Sequence, residues 1–225
     1  MQAKPLPPLP DTGFLADTSP ELRQLLESLA QERVMEDDET LFEQGDPGDA
    51  LFAVVEGIVE ISVLSPDGRK LVLDIMRPGA LLGEIALFDP GVRTATAIAV
   101  GPTRLRRLKN ADLMNAIRKS PDMAVDLIHL AGRRMRSMSA QIEDQAFLPL
   151  STRLARKLLY LTEANPEGEL FLSQAQLAEF VGATREAVSK TLGEWKRARV
   201  IEANRGALRI LERGAMRALA EPNQL

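Results

Sequence analysis

A carboxylate and an arginine nine residues apart are the side chains of this 225-residue sequence best suited to holding a ligand. The arginine, Arg93, can pair its planar guanidinium with two phosphate oxygens, and the adjacent Thr94 adds a hydroxyl donor. The carboxylate, Glu84, can accept a hydrogen bond from a sugar hydroxyl. Gly83 and Ala86 are small enough to let a ligand approach the backbone. The run therefore predicts a sugar-phosphate site. The alternative interpretation is that Glu84 and Arg93 form a solvent-exposed ion pair between adjacent strands, which would stabilise the fold by about 0–1 kcal/mol.

The full run GEIALFDPGVRTA, from Gly83 to Ala95, resembles the phosphate-binding cassette of cyclic-nucleotide-binding domains. Over residues 20 to 215 the chain resembles transcription factors of the cyclic AMP receptor protein (CRP/FNR) family. The resemblance implies that Glu84 holds the ribose 2′-hydroxyl and that Arg93 and Thr94 hold the cyclic phosphate. Ligand-binding residues expected on this basis are Gly83, Glu84, Ile85, Ala86, Arg93, Thr94, Met138 and Ser139.

Two of those residues bear on the identity of the nucleotide. In the family a Thr-Ser pair on a long helix meets the adenine amino group, and the matching pair here is Met138-Ser139. This chain has the serine, but methionine replaces the threonine. The resemblance therefore implies cyclic AMP as the first choice of effector and cyclic GMP as the second, since Thr94 also suits a guanine contact. A regulator that binds DNA without a nucleotide, or that senses another molecule, stays open.

The composition excludes several other classes of protein. The chain has no cysteine and a single histidine, His129. Disulfides, iron–sulfur clusters and cysteine-ligated haem are therefore excluded, and a histidine-rich metal centre is not expected. No nucleophile–base pair supports an enzyme. Without an apolar run of 18 residues or a signal peptide, we expect a cytoplasmic protein that does not contact a membrane.

The charge is distributed unevenly along the chain. Residues 151–225 carry 12 Lys/Arg and 9 Asp/Glu, a net charge of +3, whereas the remainder carries 16 and 23, a net charge of −7. A basic carboxyl-terminal part joined to an acidic amino-terminal part is typical of a DNA-binding domain attached to a sensor.

Hydrophobic periodicity predicts the order of elements in the first part of the chain. Residues 19–30 predict a short helix capped by Ser19, and residues 34–107 alternate as short strands separated by Gly/Pro/Asp turns. Residues 110–120 predict another helix. These patterns indicate a sandwich or rolled sheet, which the family resemblance specifies as a β-roll.

A long helix is predicted to follow, to about residue 147. Its apolar residues repeat at spacings of three and four, as in a coiled-coil seam that would pair two copies of the chain. They are Ile128, Ala131, Met135, Met138 and Ile142. The alternative is a single helix resting on the sheet. Pro149 interrupts the pattern and marks a hinge, after which Ser151 is placed to cap the next helix.

Residues 172–198 read as a helix–turn–helix. Ser173 begins one helix, Gly182 permits the turn and Thr184 caps a second helix. Arginine can bond guanine O6 and N7, and glutamate can accept from the cytosine amino group, so the exposed face of the second helix suits a major groove. Residues 199–211 predict a hairpin, or wing. DNA-binding residues expected here are Ser173, Thr184, Arg185, Glu186, Ser189, Lys190 and Arg205.

These observations and the resemblance together predict an α+β protein. It would comprise a flexible arm (1–18), a jelly-roll-like cyclic-nucleotide-binding β-roll domain (19–120), a dimerisation helix (121–147) and a winged helix–turn–helix domain (148–225). The implied function is a homodimeric transcriptional regulator. The resemblance implies that it reads palindromic TGTGA-like half-sites in double-stranded DNA, and it leaves a contact with RNA polymerase open.

Overall fold

The computed structural model describes residues 7–163, 169–204 and 207–221. The chain divides into two compact units, one formed by residues 1–63 and 73–135 and the other by residues 64–72 and 136–225. Within the described residues, no helix combines the length and the apolar character needed to cross a membrane.

The first unit is built on an antiparallel sheet whose main strands run in the order β1-β6-β3-β4, with β2 paired to β6 and β5 paired to β3. Its strands are β1 Gln31–Met35, β2 Thr40–Phe42, β3 Ala50–Leu64, β4 Lys70–Met76, β5 Leu81–Leu82 and β6 Thr96–Lys109. The two short alternating runs in residues 51–63 join into the single long strand β3. The register of its pairing with β6 shifts on both sides of Glu56, and the next residue is Gly57, where a β-carbon would lie 2.5 Å from the Pro102 carbonyl oxygen.

Helices cover this sheet and bury the predicted apolar stripes. They are α1 Gly13–Ala16, α2 Pro20–Ser28, α3 Ile85–Phe88, α4 Asn110–Lys119 and the first part of α5, which spans Asp122–Phe147. The Ser19 side chain accepts from the Leu22 amide, so the predicted cap of α2 is confirmed. Leu29, within the predicted helical range, is 53% exposed because α2 ends at Ser28.

The segment before α2 differs from the expected flexible arm. Leu9, Phe14 and Leu15 are buried in the same core as α2 and α4. The Arg23 guanidinium donates to the carbonyls of Leu9, Pro10 and Leu15, and the Arg106 guanidinium donates to that of Pro7. The segment is thus anchored by three buried apolar side chains and by arginines that donate to its proline-containing backbone.

Helix α5 shows two different apolar faces. Met123, Leu127 and Leu130 are buried against the first unit's core. The predicted seam residues Ile128, Met135, Met138 and Ile142 are each more than half exposed. The seam is therefore not used to cover the sheet of the same chain, which was the alternative interpretation.

The second unit contains the predicted helix–turn–helix and wing. Its elements beyond α5 are α6 Leu150–Leu161, α7 Gln174–Val181, α8 Arg185–Arg197, β7 Ile201–Asn204, β8 Ala207–Ile210 and α9 Arg213–Ala220. Apolar residues from all of these helices and both strands form one core. The expected cap Ser151 is wrong, because α6 begins two residues earlier than that cap requires and Pro149 occupies the N-cap position.

Candidate ligand site and candidate nucleic-acid interface

Arg93 is held at the centre of the first unit, and its side chain is only 3% exposed. Its Nη2 donates to the Ala50 carbonyl at 2.9 Å and its Nη1 to the Gly83 carbonyl at 3.2 Å. The guanidinium carbon lies 4.3 Å from the centre of the Phe42 ring. Backbone carbonyls and an aromatic face thus orient the cation.

The charge of Arg93 is poorly compensated by the protein. The nearest carboxylate oxygen belongs to Asp49, 3.9 Å away, and the other oxygen of Asp49 pairs with Arg107 at 2.6 Å. Burial lowers the pKa of the Arg93 guanidinium below its usual value, and the charge of Asp49 opposes that shift. Among the described residues, no hydrogen-bond partner reaches the buried Nε of Arg93. A bound anion would offset this cost of burial.

Gly83 is required by the geometry around Arg93. Its φ is +86°, a conformation that favours glycine. A β-carbon at this position would lie 2.7 Å from Arg93 Nη1 and 2.9 Å from the Ala50 carbonyl oxygen. The sequence predicted that Gly83 allows a ligand to approach. The structure shows that Gly83 also makes room for the arginine itself.

Glu84 is buried close to Arg93 and is paired with an arginine that the sequence did not single out. Glu84 is 6% exposed, and its Oε1 lies 3.3 Å from Nε of Arg134 on α5. Arg134 also bonds the Asp74 carboxylate at 2.8 Å and the Leu81 carbonyl at 2.8 Å. The run containing Glu84 gives no local signal for this partner, which follows fifty residues later on another element.

The remaining predicted ligand residues are placed differently. Ala86 is buried in α3, whereas Ile85 and Thr94 are exposed beside Glu84 and Arg93. Met138 and Ser139 are exposed on the part of α5 that belongs to the second unit. The first unit therefore brings six of the eight predicted residues into one neighbourhood, and Arg134 joins them there.

The helix–turn–helix has the caps that the sequence predicted. Ser173 and Gln176 form a reciprocal capping box at the start of α7, and the Thr184 hydroxyl accepts from the Ala187 amide at the start of α8. Gly182 takes a left-handed conformation between them, with φ +60°. These caps fix where α8 begins, so Arg185 and Glu186 stand in its first turn.

Helix α8 has one buried face and one polar face. Val188, Leu192 and Trp195 are buried in the core of the second unit. The opposite face borders an open concavity of about 510 Å³. It is lined by Gln174, Arg185, Glu186, Ser189, Lys190, Gly193 and Arg197. Four of the predicted DNA-binding residues thus share one exposed surface, and Ser173 and Thr184 serve as caps. Arg205, at the predicted tip of the wing, lies outside the described residues.

Comparisons with known proteins agree with this architecture. Residues 32–120 match the family model of the cyclic nucleotide-binding domain, and residues 152–219 match that of the Crp-like helix-turn-helix domain. The chain is 33% identical over 178 residues to the "CRP-like cAMP-activated global transcriptional regulator" of Mycobacterium tuberculosis, covering 76% of each chain. It is 32% identical over 203 residues to the "Cyclic AMP receptor protein" of Thermus thermophilus, covering 90% of this chain and 94% of the relative.

A solved structure shows the same fold. The CRP/FNR-family regulator TTHA1359 of Thermus thermophilus matches with a TM-score of 0.76 at 28% identity, over 86% of this chain and 100% of that one. The chain therefore belongs to the CRP family of transcriptional regulators, with a cyclic nucleotide-binding domain followed by a DNA-binding helix–turn–helix. The predicted fold class is confirmed.

Proposed function

We propose that the site around Arg93 binds the cyclic phosphate of a 3′,5′-cyclic nucleotide, with cyclic AMP as the first choice and cyclic GMP as the second. The proposal depends on a buried guanidinium that backbone carbonyls orient and whose nearest carboxylate oxygen, among the described residues, is 3.9 Å away. The cyclic phosphate would accept from Arg93 and from the Thr94 hydroxyl. Charge-assisted bonds of this kind are stronger in a site that excludes water.

Glu84 would recognise the ribose of the same ligand. Arg134 pairs with this carboxylate and fixes its orientation, so that it can accept a hydrogen bond from the ribose 2′-hydroxyl. Gly83, Ile85 and Ala86 would border the ligand along α3. This assignment predicts that 2′-deoxy analogues bind more weakly, because the buried carboxylate would lose its hydroxyl partner.

On the second unit, Arg185 and Glu186 would read base edges in a major groove. Their exposure and their position in the first turn of α8 leave both side chains free of the protein core. We propose guanine for Arg185 and cytosine for Glu186, within TGTGA-like half-sites of double-stranded DNA. Ser189 would contact the same groove, and an Arg205 contact with phosphate stays a prediction.

Pairing of two chains along α5 would align two such helices. The exposed apolar stripe of α5 supports a homodimer, because side chains that are more than half exposed gain most from burial against a second copy. Two recognition helices about 34 Å apart would reach successive major grooves. Such a regulator would act in the cytoplasm, and its relatives are transcriptional regulators rather than enzymes.

The alternative is a CRP-type regulator that binds DNA without a cyclic nucleotide or answers to another effector. Met138 favours it, because the family's base-contacting threonine is missing at this position. If Met138 serves only the dimer seam, then adenine has one fewer polar partner. Ser139 remains for a base contact.

A panel of cyclic nucleotides titrated into the purified protein, followed by capture of random duplex DNA, separates these functions. Under the proposal, cyclic AMP or cyclic GMP increases capture of a palindromic site by about 5- to 150-fold, a typical coupling between two sites. Capture that is strong without any nucleotide, and unchanged by all of them, supports the alternative instead.

A further inference from the structure

Gly193 stands in the middle of the recognition helix, where the fold gives no reason for a glycine. Its φ is outside the left-handed region, and a β-carbon built on it would have no atom within 4 Å. Glycine inside a helix lowers stability relative to alanine. Neither backbone conformation nor packing in the second unit therefore accounts for this residue.

The surroundings of Gly193 on the polar face point to another reason. Lys190 precedes it by three residues and Arg197 follows it by four, so all three lie on one side of α8. These residues border the same concavity of about 510 Å³. Because Gly193 has no side chain, the surface between the two cations is open down to the helix backbone.

The two cations are available for a ligand. Both side chains are exposed, and within the described part of the chain neither charged group lies within 4.0 Å of a carboxylate. The next lysine, by contrast, is occupied, since Lys196 Nζ donates to the Ala203 carbonyl at 2.6 Å. The same face carries Glu186 in the first turn of α8. Glu186 lies two turns from Gly193, so its side chain does not fill the space between Lys190 and Arg197.

We propose that one phosphate of the DNA backbone sits over Gly193, between Lys190 and Arg197. Seven residues separate the two cations, about 10 Å along the helix axis, so each long side chain can reach a group placed between them. A phosphodiester carries the single negative charge and the exposed oxygens that suit this arrangement. The site rests on the DNA-binding function proposed above and assigns Lys190 to a phosphate.

A neutralised-phosphate scan tests this assignment directly. Single phosphates of a bound palindrome are replaced by methylphosphonates, and affinities are compared for the wild type, the Lys190→Ala and Arg197→Ala single variants and the double variant. We expect one phosphate per half-site whose neutralisation weakens the wild type by about tenfold and the double variant by less than about twofold. The proposal is overturned if no phosphate shows this coupling, or if each single variant couples to a different phosphate.

Salt dependence and a charge reversal give independent measurements. If both cations share one phosphate in each half-site, the double variant reduces the slope of log affinity against log salt by about two for a dimer on a palindrome, whereas separate phosphates would reduce it by about four. Gly193→Glu should weaken binding to all sequences equally, by about tenfold or more. Gly214→Glu, at an equally open glycine in α9, makes the same charge change away from this face and is the matched control.

Fluorescence of the single tryptophan, Trp195, reports whether each variant keeps the packing of α8. Equal DNA affinity of the Gly193→Glu and Gly214→Glu variants would contradict the proposed phosphate site but not the DNA-binding function. A wild type that binds no duplex DNA would contradict the DNA-binding function itself.

Discussion

Arg93 and Arg185 are both assigned to hold groups of a nucleic-acid building block, yet they are prepared for it in opposite ways. Arg93 is buried, bonded to two carbonyls and stacked on Phe42. Arg185 is exposed on a helix whose start is fixed by the Thr184 cap. Burial strengthens the contact between an arginine and an anion, but the unliganded protein then carries the free-energy cost of a desolvated cation. An exposed arginine costs the folded protein little stability.

Mutations in the two regions should therefore affect stability and binding differently. Changes near Arg93 should alter stability and binding together, because the same atoms support both. Changes on the exposed face of α8 should alter binding alone. Four experiments test this difference.

Gly83→Ala should have the largest effect. The new β-carbon would lie 2.7 Å from Arg93 Nη1 and would force a backbone φ of +86° on a residue that rarely adopts it. We expect loss of detectable cyclic-nucleotide binding by calorimetry and a destabilisation of about 1–3 kcal/mol in urea unfolding. Gly68→Ala, with φ +81° and no neighbour within 4 Å, controls for backbone strain. If the two variants behave alike, then crowding of Arg93 is not the cause.

Salt should separate the two regions next. DNA affinity is expected to fall by about tenfold or more between 50 and 200 mM salt, because several phosphates release counterions. Affinity for a cyclic nucleotide, which has a single charge bound beside a buried cation, should change by less than about fourfold over the same range. A steep salt dependence of nucleotide binding would indicate an exposed site and would contradict the placement at Arg93.

Arg185→Ala should weaken binding to a guanine-containing palindrome by about 1–3 kcal/mol and relax selectivity at that base. Its unfolding free energy should stay within about 0.5 kcal/mol of the wild type, since the residue is exposed. Arg217→Ala, an exposed arginine in α9, provides the control. An equal loss on every sequence would make Arg185 a backbone contact.

Thr184→Ala should have the smallest effect, about 1 kcal/mol of stability, through loss of the hydroxyl that accepts from the Ala187 amide. Urea unfolding followed by Trp195 fluorescence measures it. Thr184→Ser keeps the hydroxyl and should restore most of the loss. An unchanged alanine variant would show that packing, rather than the cap, fixes the start of α8.

The sequence predicted correctly the helix starts whose caps depend only on neighbouring residues. The start of α2 at Ser19, the capping box at Ser173 and the cap at Thr184 were all predictable, because each depends on side chains within one helical turn. The cap at Ser151 was wrong, since Pro149 fits the extended backbone before α6 equally well.

Long-range contacts could not be predicted in the same way. The burial of Phe14 depends on a core assembled from α2, α4 and α5, so its proline-rich surroundings suggested a free arm. Arg134 joins the proposed ligand site through a contact with Glu84 that no spacing in the sequence indicates. Such pairings are decided by tertiary packing, which local periodicity does not encode.

Calorimetric titration of cyclic AMP and cyclic GMP into the wild type and an Arg93→Leu variant tests the central claim most directly. The account predicts one nucleotide bound per chain of wild type, by at least one of the two compounds, and no measurable binding by the variant. Equal binding by both proteins, or no binding of either nucleotide by a folded wild type, would contradict it.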